Sequence, residues 1–459
     1  MGIDADGTTP RTVTLAAATR VWAKIGWLGF GGPAGQIALM HRELVERRRW
    51  ISDGRFLHAL NYCMLLPGPE AQQLSIYIGW LMHRTAGGVI AGTLFVIPGV
   101  IVIGLLSWLY AVCQQVPAVG AIFFGLKAAV LAIVVEAVLR IGKRALKSRT
   151  MVAIAAAAFI GIYFLKISFP LIVLGAGATG LILQQWRPQQ HAAKSSARAA
   201  DSGEYYVDGR IARGELAHLN PSLPRALRIT VVCLALWFAP LVAVIGLWGG
   251  DSVFAQLGIF FSQAAVVTFG GAYAVLAYVA QQVVAGYGWL VPGEMVDGLA
   301  LAETTPGPLI MVVQYVAFLA AFRHPGGLDP LVAAIIGSLL TSWVTFVPCF
   351  LWVFVGAPYV EALRNNRALN AALSAITAAI VGVILNLSVW FTLHSVFRTQ
   401  RVVRVGPLDV ELPVWSSLDP FALLLAAAAL AAMLRFRLGL GWTLAGAALI
   451  GAAGTLLRG

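Results

Sequence analysis

Long stretches without a charged side chain recur along this chain of 459 residues, and they limit its fold more than any other feature. Residues 88–112, 331–355 and 368–391 are each long enough to cross a bilayer core that needs about 20 helical residues. Hydrophobic residues make up 59% of the chain and charged residues 11%, against roughly 25% charged residues in an average soluble domain. A water-soluble fold could not bury that much apolar surface. The sequence therefore predicts an all-α polytopic membrane protein that sits in the lipid bilayer.

The basic residues behind the formal net charge of +12 lie in short loops between the apolar stretches. Charges in such places orient helices by the positive-inside rule, and we expect no nucleic-acid partner. The cysteines form no CxxC pair, so neither a disulfide framework nor a metal site is predicted, and we expect no cofactor. Residues 1–24 lack an uninterrupted apolar core, which favours an N-terminus that stays in the cytoplasm over a cleaved signal peptide.

Thirteen apolar segments follow one another along the chain, separated by charged interruptions. They predict about 10 to 13 membrane segments, at residues 14–40, 56–82, 88–112, 118–141, 151–165, 167–184, 227–247, 253–284, 295–322, 330–355, 368–393, 418–434 and 438–456. The long polar stretch 185–226 is expected to be a solvated cytoplasmic linker, so that a deletion of part of 192–212 would leave transport mostly intact.

The second half of the chain repeats the first. Phe30-Gly31-Gly32 recurs as Phe269-Gly270-Gly271, Trp50 as Trp289, and Pro67-Gly68-Pro69 as Pro306-Gly307-Pro308, all at one offset of 239 positions. Three landmarks in one ungapped register are hard to obtain by chance. The predicted domains are an N-terminal repeat, a linker, a connecting transmembrane segment and a C-terminal repeat, at residues 1–184, 185–226, 227–252 and 253–459.

Loop charge predicts how the two repeats are oriented. Residues 47–49 are three arginines, whereas the corresponding loop 285–288 is uncharged and is followed by acidic residues at 294 and 297. The positive-inside rule places the first loop in the cytoplasm and the second outside, as in the inverted repeats of many secondary transporters.

The same rule favours helical hairpins at 14–40 and 56–82, each bent at its Gly or Pro motif, because the arginine loop would otherwise lie outside. The loop 394–417, with its three arginines, is left outside by this scheme, and nothing in the sequence explains it.

The Gly and Pro motifs predict breaks in membrane helices, which are tolerated only where the freed backbone groups are buried in protein or face a water-filled cavity. A new helix N-terminus would begin after each break, and its free N–H groups bind anions without a buried cation. Four broken helices that meet near the membrane midplane could surround a tetrahedral oxyanion. The alternative is that these residues serve as packing kinks.

Two carboxyl groups flank the Pro-Gly-Pro motifs: Glu70 follows Pro69, and Glu303 precedes Pro306 by three positions. Carboxylates at membrane depth often mark proton relays, so both are candidates for proton coupling, with placement at the lipid interface as the alternative. Glu136 and Arg140 are expected to form a local ion pair.

The candidate substrate-binding residues are the break motifs, nearby amides and hydroxyls that can donate to anion oxygens, and one lysine. They are Phe30, Gly31, Gly32, Gln36, Pro67, Gly68, Pro69, Gln72, Gln73, Lys127, Phe269, Gly270, Gly271, Thr304, Thr305, Pro306, Gly307 and Pro308. For the amides and hydroxyls, hydrogen bonds between helices are the alternative. Trp50 and Trp289 are expected to be anchors at the membrane interface.

An intramembrane enzyme would need a nucleophile with its base, a metal site or clustered acids. The chain contains no HExxH and no GxSxG, and its histidines are dispersed, so we predict no catalytic residues and no enzyme. A passive anion channel stays open as an alternative, because the same motifs could line a pore.

The motifs as a set resemble the chromate transporter family in its long, two-repeat form. Phe30-Gly31-Gly32-Pro33, Arg48-Arg49-Trp50 and Leu66-Pro67-Gly68-Pro69 resemble its N-terminal half, and residues 303–311 resemble its C-terminal half. The resemblance implies export of chromate across the bacterial inner membrane, driven by the membrane potential or a proton gradient, and resistance to chromate. Sulfate, also a tetrahedral dianion, stays an alternative substrate. The partners expected are the oxyanion, protons, the lipid bilayer and a second copy of the chain in a homodimer.

Overall fold

The computed structural model describes residues 13–30, 32–113, 116–186, 205–269, 272–359, 367–405 and 408–456. The first repeat consists of α1 (Leu15–Leu28), α2 (Gly32–His41), α3 (Asp53–Cys63), α4 (Glu70–Cys113), α5 (Pro117–Ala145), α6 (Arg149–Tyr163) and α7 (Phe169–Trp186). Between the repeats lie α8 (Tyr206–Ala212) and α9 (Leu223–Trp248). The second repeat consists of α10 (Val253–Val267), α11 (Ala272–Gln281), α12 (Pro292–Thr304), α13 (Val312–Arg323), α14 (Pro330–Gly356), α15 (Arg367–Val396), α16 (Pro420–Leu434) and α17 (Leu440–Leu456).

The prediction of an all-α polytopic membrane protein is confirmed. Helices α4, α5, α9, α14 and α15 are long and apolar enough to cross a bilayer. The connecting helix α9 exposes large apolar side chains such as Leu247, which is 73% exposed, as expected of a helix that faces lipid. Pro240 lies within α9 and cannot donate a backbone hydrogen bond, and the carbonyl of Leu236 instead accepts from the Trp343 indole at 2.7 Å.

The backbone repeats in the same register as the motifs. A π-helical turn follows α2 at Arg42–Arg47 and another follows α11 at Gln282–Gly286. Left-handed backbone angles also recur at the offset of 239 positions: φ is +52° at Arg49 and +65° at Gly288. The chain is therefore built from two structurally corresponding repeats.

The two repeats are inverted relative to each other. Helices α4 and α14 correspond by sequence position and pack side by side, with Gly88 against Phe354 and Gly92 against Phe350. Contacts that advance along one helix and recede along the other mean that the corresponding helices run antiparallel. A pair related by a parallel repeat would run in the same direction.

The predicted helical hairpins are present in the first repeat. Helix α4 kinks at His83 and Arg84, where φ is −137° and +55°. The kink lies close to the start of α1, because the His83 ring bonds to the Val13 carbonyl at 2.8 Å. The connection between α2 and α3 lies at the same end, because the carbonyls of Trp50 and Met82 accept hydrogen bonds from Val207 and Arg210, which are close in the chain. The α1–α2 hairpin and the hairpin of α3 with the first half of α4 therefore both begin and end at one end of the molecule.

The prediction of a fully solvated linker is wrong for its C-terminal part. Residues 187–204 lie outside the described residues, but Tyr205, Tyr206 and Val207 are buried against the first repeat. The Asp208 carboxylate accepts the backbone N–H of Ser52 at 3.0 Å and the Nε of Arg55 at 2.7 Å. The apolar Tyr-Tyr-Val run supplies the buried area that drives this docking.

The loop 394–417 forms a β-hairpin, an element that the sequence analysis did not predict. Strand β1 (Gln400–Val405) pairs antiparallel with β2 (Leu408–Pro413). The Tyr163 hydroxyl donates to the Glu411 carbonyl at 3.0 Å, which ties the hairpin to the end of α6. Arg398 pairs with Asp419 at 3.3 Å, so one arginine of this loop has an acidic partner.

The prediction that two tryptophans anchor the protein at the membrane interface is wrong. Trp50 is 7% exposed and Trp289 is 4% exposed. Each is buried in a connection between helices, Trp50 before α3 and Trp289 before α12, and Trp289 stacks on Tyr287 at 4.2 Å between ring centroids.

Candidate anion-binding site

Four helix breaks meet in one region, which we call the break core. Two of them are the Gly-Gly breaks, described at Phe30, Gly32 and Phe269, and two are the Pro-Gly-Pro breaks at 67–69 and 306–308. Gly31, Gly270 and Gly271, which were predicted to bind substrate, lie outside the described residues. The remaining break residues define how the core is assembled.

One backbone hydrogen bond joins each Pro-Gly-Pro break to the other repeat. The Gly68 N–H donates to the Thr268 carbonyl at 2.7 Å, and the Gly307 N–H donates to the Gly29 carbonyl at 3.2 Å. Gly68 corresponds to Gly307, and Gly29 to Thr268, at the offset of 239 positions. A pseudo-two-fold axis therefore relates the two hydrogen bonds to each other. The breaks of both repeats lie side by side at this axis.

Glycine is required at the centre of both Pro-Gly-Pro breaks. Gly68 has φ +121° and Gly307 has φ +96°, which favour glycine over any residue with a Cβ. A Cβ on Gly307 would also lie 3.0 Å from the Cα of Gly99 in α4. Two backbone segments of the protein are therefore in contact here, with no space for a side chain between them.

Four helical segments begin at the break core. Helix α2 starts at Gly32, α4 at Glu70 and α11 at Ala272, while the turn Leu309–Met311 leads into α13. The first turn of each segment has backbone N–H groups without an intrahelical acceptor, and the positive end of the helix dipole lies there. Helix starts of this kind can stabilise an anion with neutral donors, and this is the candidate role of the break core.

The predicted glutamines lie at the break core, but two of them already donate to the protein. The Gln36 amide donates to the carbonyls of Gly29 at 3.2 Å and Gly307 at 2.5 Å. The Gln73 amide donates to the Pro67 carbonyl at 2.6 Å. These side chains hold the breaks in shape by satisfying carbonyls that a continuous helix would have bonded.

Gln72 differs from its neighbours. It is fully buried, and neither its Nε2 nor its Oε1 has a hydrogen-bond partner among the described residues. An unsatisfied buried polar group costs about 1–3 kcal/mol. Among the predicted donors, Gln72 is therefore the side chain that a polar ligand would stabilise most.

The predicted threonines do not present donors to the break core. The Thr304 hydroxyl bonds to the Leu301 carbonyl at 2.9 Å, and the Thr305 hydroxyl bonds to the Ala302 carbonyl at 3.3 Å. Both hydrogens are used within their own helix, and the oxygens that remain are acceptors, which do not favour an anion. Phe30 is 48% exposed and contributes no polar group.

The two predicted carboxyl groups have different surroundings. Glu303 is 3% exposed and accepts a hydrogen bond from the Tyr273 hydroxyl at 2.6 Å. A Cβ on Gly32 would lie 3.7 Å from Glu303 Oε2, so this carboxylate faces the start of α2. Glu70, the first residue of α4, is partly buried, and its carboxylate accepts a hydrogen bond from its own backbone N–H.

Arg140 interacts with more carboxyl groups than the predicted local ion pair includes. Its guanidinium lies 3.7 Å from the Glu136 carboxylate, as the i, i+4 spacing predicts. It also interacts electrostatically with the carboxyl groups of both Glu70 and Glu303. The sequence analysis missed this role because Arg140 is distant in the chain from both glutamates.

Lys127 lies away from the break core. Its ammonium pairs with the Asp297 carboxylate at 3.2 Å, and the Tyr110 hydroxyl donates to the same oxygen at 2.9 Å. Tyr110 and Tyr273, the two tyrosines that bond to acids here, were also missed, because nothing in their local sequence marks them. Across the described residues, no group of His, Cys, Asp and Glu side chains is arranged to hold a metal ion.

A family model described as chromate transporter matches residues 16–181 and 255–452, well over half of the 459 residues. The chain belongs to the chromate transporter family. The two matched stretches correspond to the two repeats, α1–α7 and α10–α17, so this family member has the two-repeat form.

The relatives of this chromate transporter family member include proteins named for chromate transport. The chain is 34% identical over 376 residues to a chromate transport protein of Pseudomonas aeruginosa, which covers 79% of the chain and 77% of the relative. It is 27% identical to a chromate transport protein of Cupriavidus metallidurans, over 82% of each chain. A probable chromate transport protein of Synechococcus elongatus is 26% identical, over 81% of the chain and 83% of the relative. No solved structure matches the chain.

Proposed function

We propose that this protein is a secondary active transporter that exports chromate across the bacterial inner membrane and thereby confers resistance to chromate. The observation that carries the proposal is the convergence of helix starts from both inverted repeats at the break core, beside the unpartnered amide of Gln72. The family and the names of the relatives support chromate as the substrate. Sulfate is the second candidate, because backbone donors discriminate weakly between two tetrahedral dianions.

The inverted repeats supply a mechanism for alternating access. Hairpins of the two repeats enter the membrane from opposite sides and are joined at their tips by the Gly68–Thr268 and Gly307–Gly29 hydrogen bonds. Movement of one set of hairpins against the other opens the core first to one side and then to the other. Few bonds need to break, because the breaks are joined by a small number of hydrogen bonds, including the one from the Gln36 amide to the Gly307 carbonyl.

Two driving forces are available to a dianion. A membrane potential that is negative inside favours its exit by about 2.3 kcal/mol per charge for each 100 mV. Proton binding at Glu70 and Glu303 would couple transport to the proton gradient, since an ionised carboxylate repels the substrate and a protonated one does not.

We also propose that the protein forms a homodimer, which crosslinking in native membranes would test.

Flux into inside-out vesicles tests the proposed function, because export then appears as uptake. We expect chromate to accumulate above its external concentration only when a potential or proton gradient is imposed, and excess sulfate to compete. Vesicles without the protein are the control. Uptake that stops at equal concentrations under every gradient would instead identify a passive channel.

A further inference from the structure

Helix α12 of the second repeat carries three buried carboxyl groups, those of Glu294, Asp297 and Glu303. Their counterparts in the first repeat, at the offset of 239 positions, are not acids. Asp297 lies outside the break core, because it precedes Glu303 by about 9 Å at 1.5 Å per helical residue. A buried carboxyl group within a membrane protein commonly marks a proton or ion pathway.

The side chains that bind the Asp297 carboxylate come from the first repeat. The Lys127 ammonium of α5 lies 3.2 Å from Oδ2, and the Tyr110 hydroxyl of α4 donates to the same oxygen at 2.9 Å. The Tyr110 ring in turn contacts that of Tyr315 in α13, at 5.3 Å between centroids. The Oδ1 atom is buried and has no hydrogen-bond partner among the described residues. An ionised oxygen without a donor is costly in the protein interior, and a proton on Oδ1 removes that cost.

The other charged groups near Asp297 balance one another. Glu294 lies one turn earlier in α12, and its carboxylate accepts a hydrogen bond from the Arg323 guanidinium of α13 at 2.9 Å. Helix α15 brings Ser395 to the neighbourhood of Lys127, and its hydroxyl carries no charge. Among the described residues, the negative charge of Asp297 is therefore paired with one cation, Lys127.

A narrow cleft between α5, α15 and α16 leads to this ion pair. Lys127 and Ser395 supply its polar groups, and it has room for about one water molecule. The Lys127 side chain is 28% exposed, and the Ser395 hydroxyl oxygen is buried without a partner among the described residues. Lys127 precedes Arg140 in α5 by about 20 Å, so the cleft lies toward the end opposite the basic residues at 140–149. The positive-inside rule makes that end the outer one.

We propose that Asp297 is a proton-binding site of the transport cycle, which is loaded from the outer side through this water-sized cleft. A hydronium ion transfers its proton to Oδ1 and leaves as water. The new O–H bond removes the charge of the carboxylate and with it the attraction to the Lys127 ammonium. Because Asp297 and Lys127 belong to different repeats, the proton loosens α12 from α5, which permits the movement of one repeat against the other. This site rests on the proposed oxyanion transport.

Chromate flux in proteoliposomes, driven either by a pH gradient or by a membrane potential, tests the site. We expect the ratio of pH-driven to potential-driven flux to fall at least tenfold in Asp297→Asn. The double variant Lys127→Gln/Asp297→Asn leaves no unpaired charge and should show the same fall. The control Asp251→Asn, which changes an exposed acid between α9 and α10, should keep the wild-type ratio. A wild-type ratio in the double variant would mean that the pair is only a structural contact, and this overturns the site.

Infrared difference spectroscopy measures the proton directly and does not depend on flux. As the pH falls, the wild-type protein should gain the carbonyl band of a protonated carboxyl group, and part of this band should be missing in the double variant. Identical spectra overturn the site. Wild-type flux that follows the potential but not the pH gradient also overturns it and leaves chromate export intact. A wild-type protein that moves neither chromate nor sulfate overturns both.

Discussion

Each repeat contributes one carboxyl group to the break core, on opposite flanks of its Pro-Gly-Pro break. Glu70 corresponds to Leu309, and Glu303 corresponds to Met64, so the pair does not follow the repeat symmetry. The Glu303 carboxylate accepts a hydrogen bond from the Tyr273 side chain at 2.6 Å, whereas the hydrogen bond to the Glu70 carboxylate comes from its own backbone N–H at the start of α4. Glu70 is therefore freer to exchange a proton with the cavity during transport.

We expect substrate binding to strengthen as pH falls, because a protonated carboxyl group no longer repels the dianion and can donate a hydrogen bond to it. Glu70→Gln should keep chromate binding but lose its pH dependence and most gradient-driven transport. Glu303→Gln should show a weaker version of this effect. Glu46→Gln, which removes a carboxyl group that is 60% exposed and lies outside the break core, is the control and should keep the wild-type pH dependence. Binding measured between pH 5.5 and 8 that stays equally pH-dependent in the double glutamine variant would contradict this role.

The Pro-Gly-Pro breaks should tolerate no side chain. Gly307→Ala places a Cβ at φ +96° and 3.0 Å from the Cα of Gly99. We therefore expect the free energy of unfolding to fall by roughly 1–2 kcal/mol or more, and the variant to show little transport. Gly120→Ala, in α5 with no atom within 4 Å of the added Cβ, is the matched control and should behave as the wild type. Thermal unfolding in detergent measures the first effect. Equal melting temperatures of the two variants would show that the break is not constrained.

The docked part of the linker, residues 205–219, caps half of α4. The kink at His83 frees carbonyls at the end of the preceding half-helix, and Arg210 donates to the Met82 carbonyl at 3.1 Å. The His218 ring bonds to the Trp80 carbonyl at 3.1 Å. This half-helix begins at Glu70 in the break core. The linker therefore contacts one end of a helix whose other end lies at the candidate site.

A deletion that reaches residues 205–212 should therefore impair transport, contrary to the expectation for a solvated linker. Removal of Tyr205–Val207 exposes the surface of the first repeat that these residues cover. Asp208→Asn is the milder variant, because it keeps the hydrogen-bonding shape but removes the charge that pairs with Arg55 at 2.7 Å. Flux per inserted molecule is the measurement. Full activity of the deletion variant would show that docking of the linker has no role in transport.

Docking of the linker should weaken as pH falls. Burial, with nearby arginines as a smaller cause, lowers the pKa of His218 from 6.5 to about 4. A lowered pKa means that the docked form disfavours the proton, so docking is strongest above pH 6.5 and weakens progressively toward pH 4. A spin label on Ala212→Cys should become more mobile over this range. In a His218→Gln background the mobility should no longer respond to pH, and an unchanged response would exclude this histidine.

The inverted arrangement predicts that equivalent loops face opposite sides of the membrane. The buried Glu43 carboxylate pairs with Lys24, Arg47 and Arg48, so this end of the first repeat keeps a net positive charge and is expected in the cytoplasm. Cysteines beside Arg48 and beside Gly288, at Glu46 and Tyr287, should react with an impermeant thiol reagent from opposite sides. Labelling from the same side would contradict the inverted orientation in the membrane.

Most of the helices and their breaks follow from local sequence. The apolar segments 118–141 and 330–355 became α5 and α14, with helix ends within four residues of the predicted bounds, because the cost of placing a charge or a free backbone group in lipid depends on the segment alone. The repeat was also readable, since glycine and proline constrain the backbone wherever they occur. Family membership followed from the same motifs.

The partners of the polar groups were decided by tertiary structure. Lys127 meets Asp297, Gln36 meets Gly307, and Asp208 meets Arg55, and each pair is more than 150 residues apart in the chain. Hydrophobicity and periodicity act within about twenty residues and carry no information on such pairs. The sequence therefore predicts where donors and charges enter the bilayer, whereas packing of the inverted repeats decides which of them stay unpaired and can receive an anion.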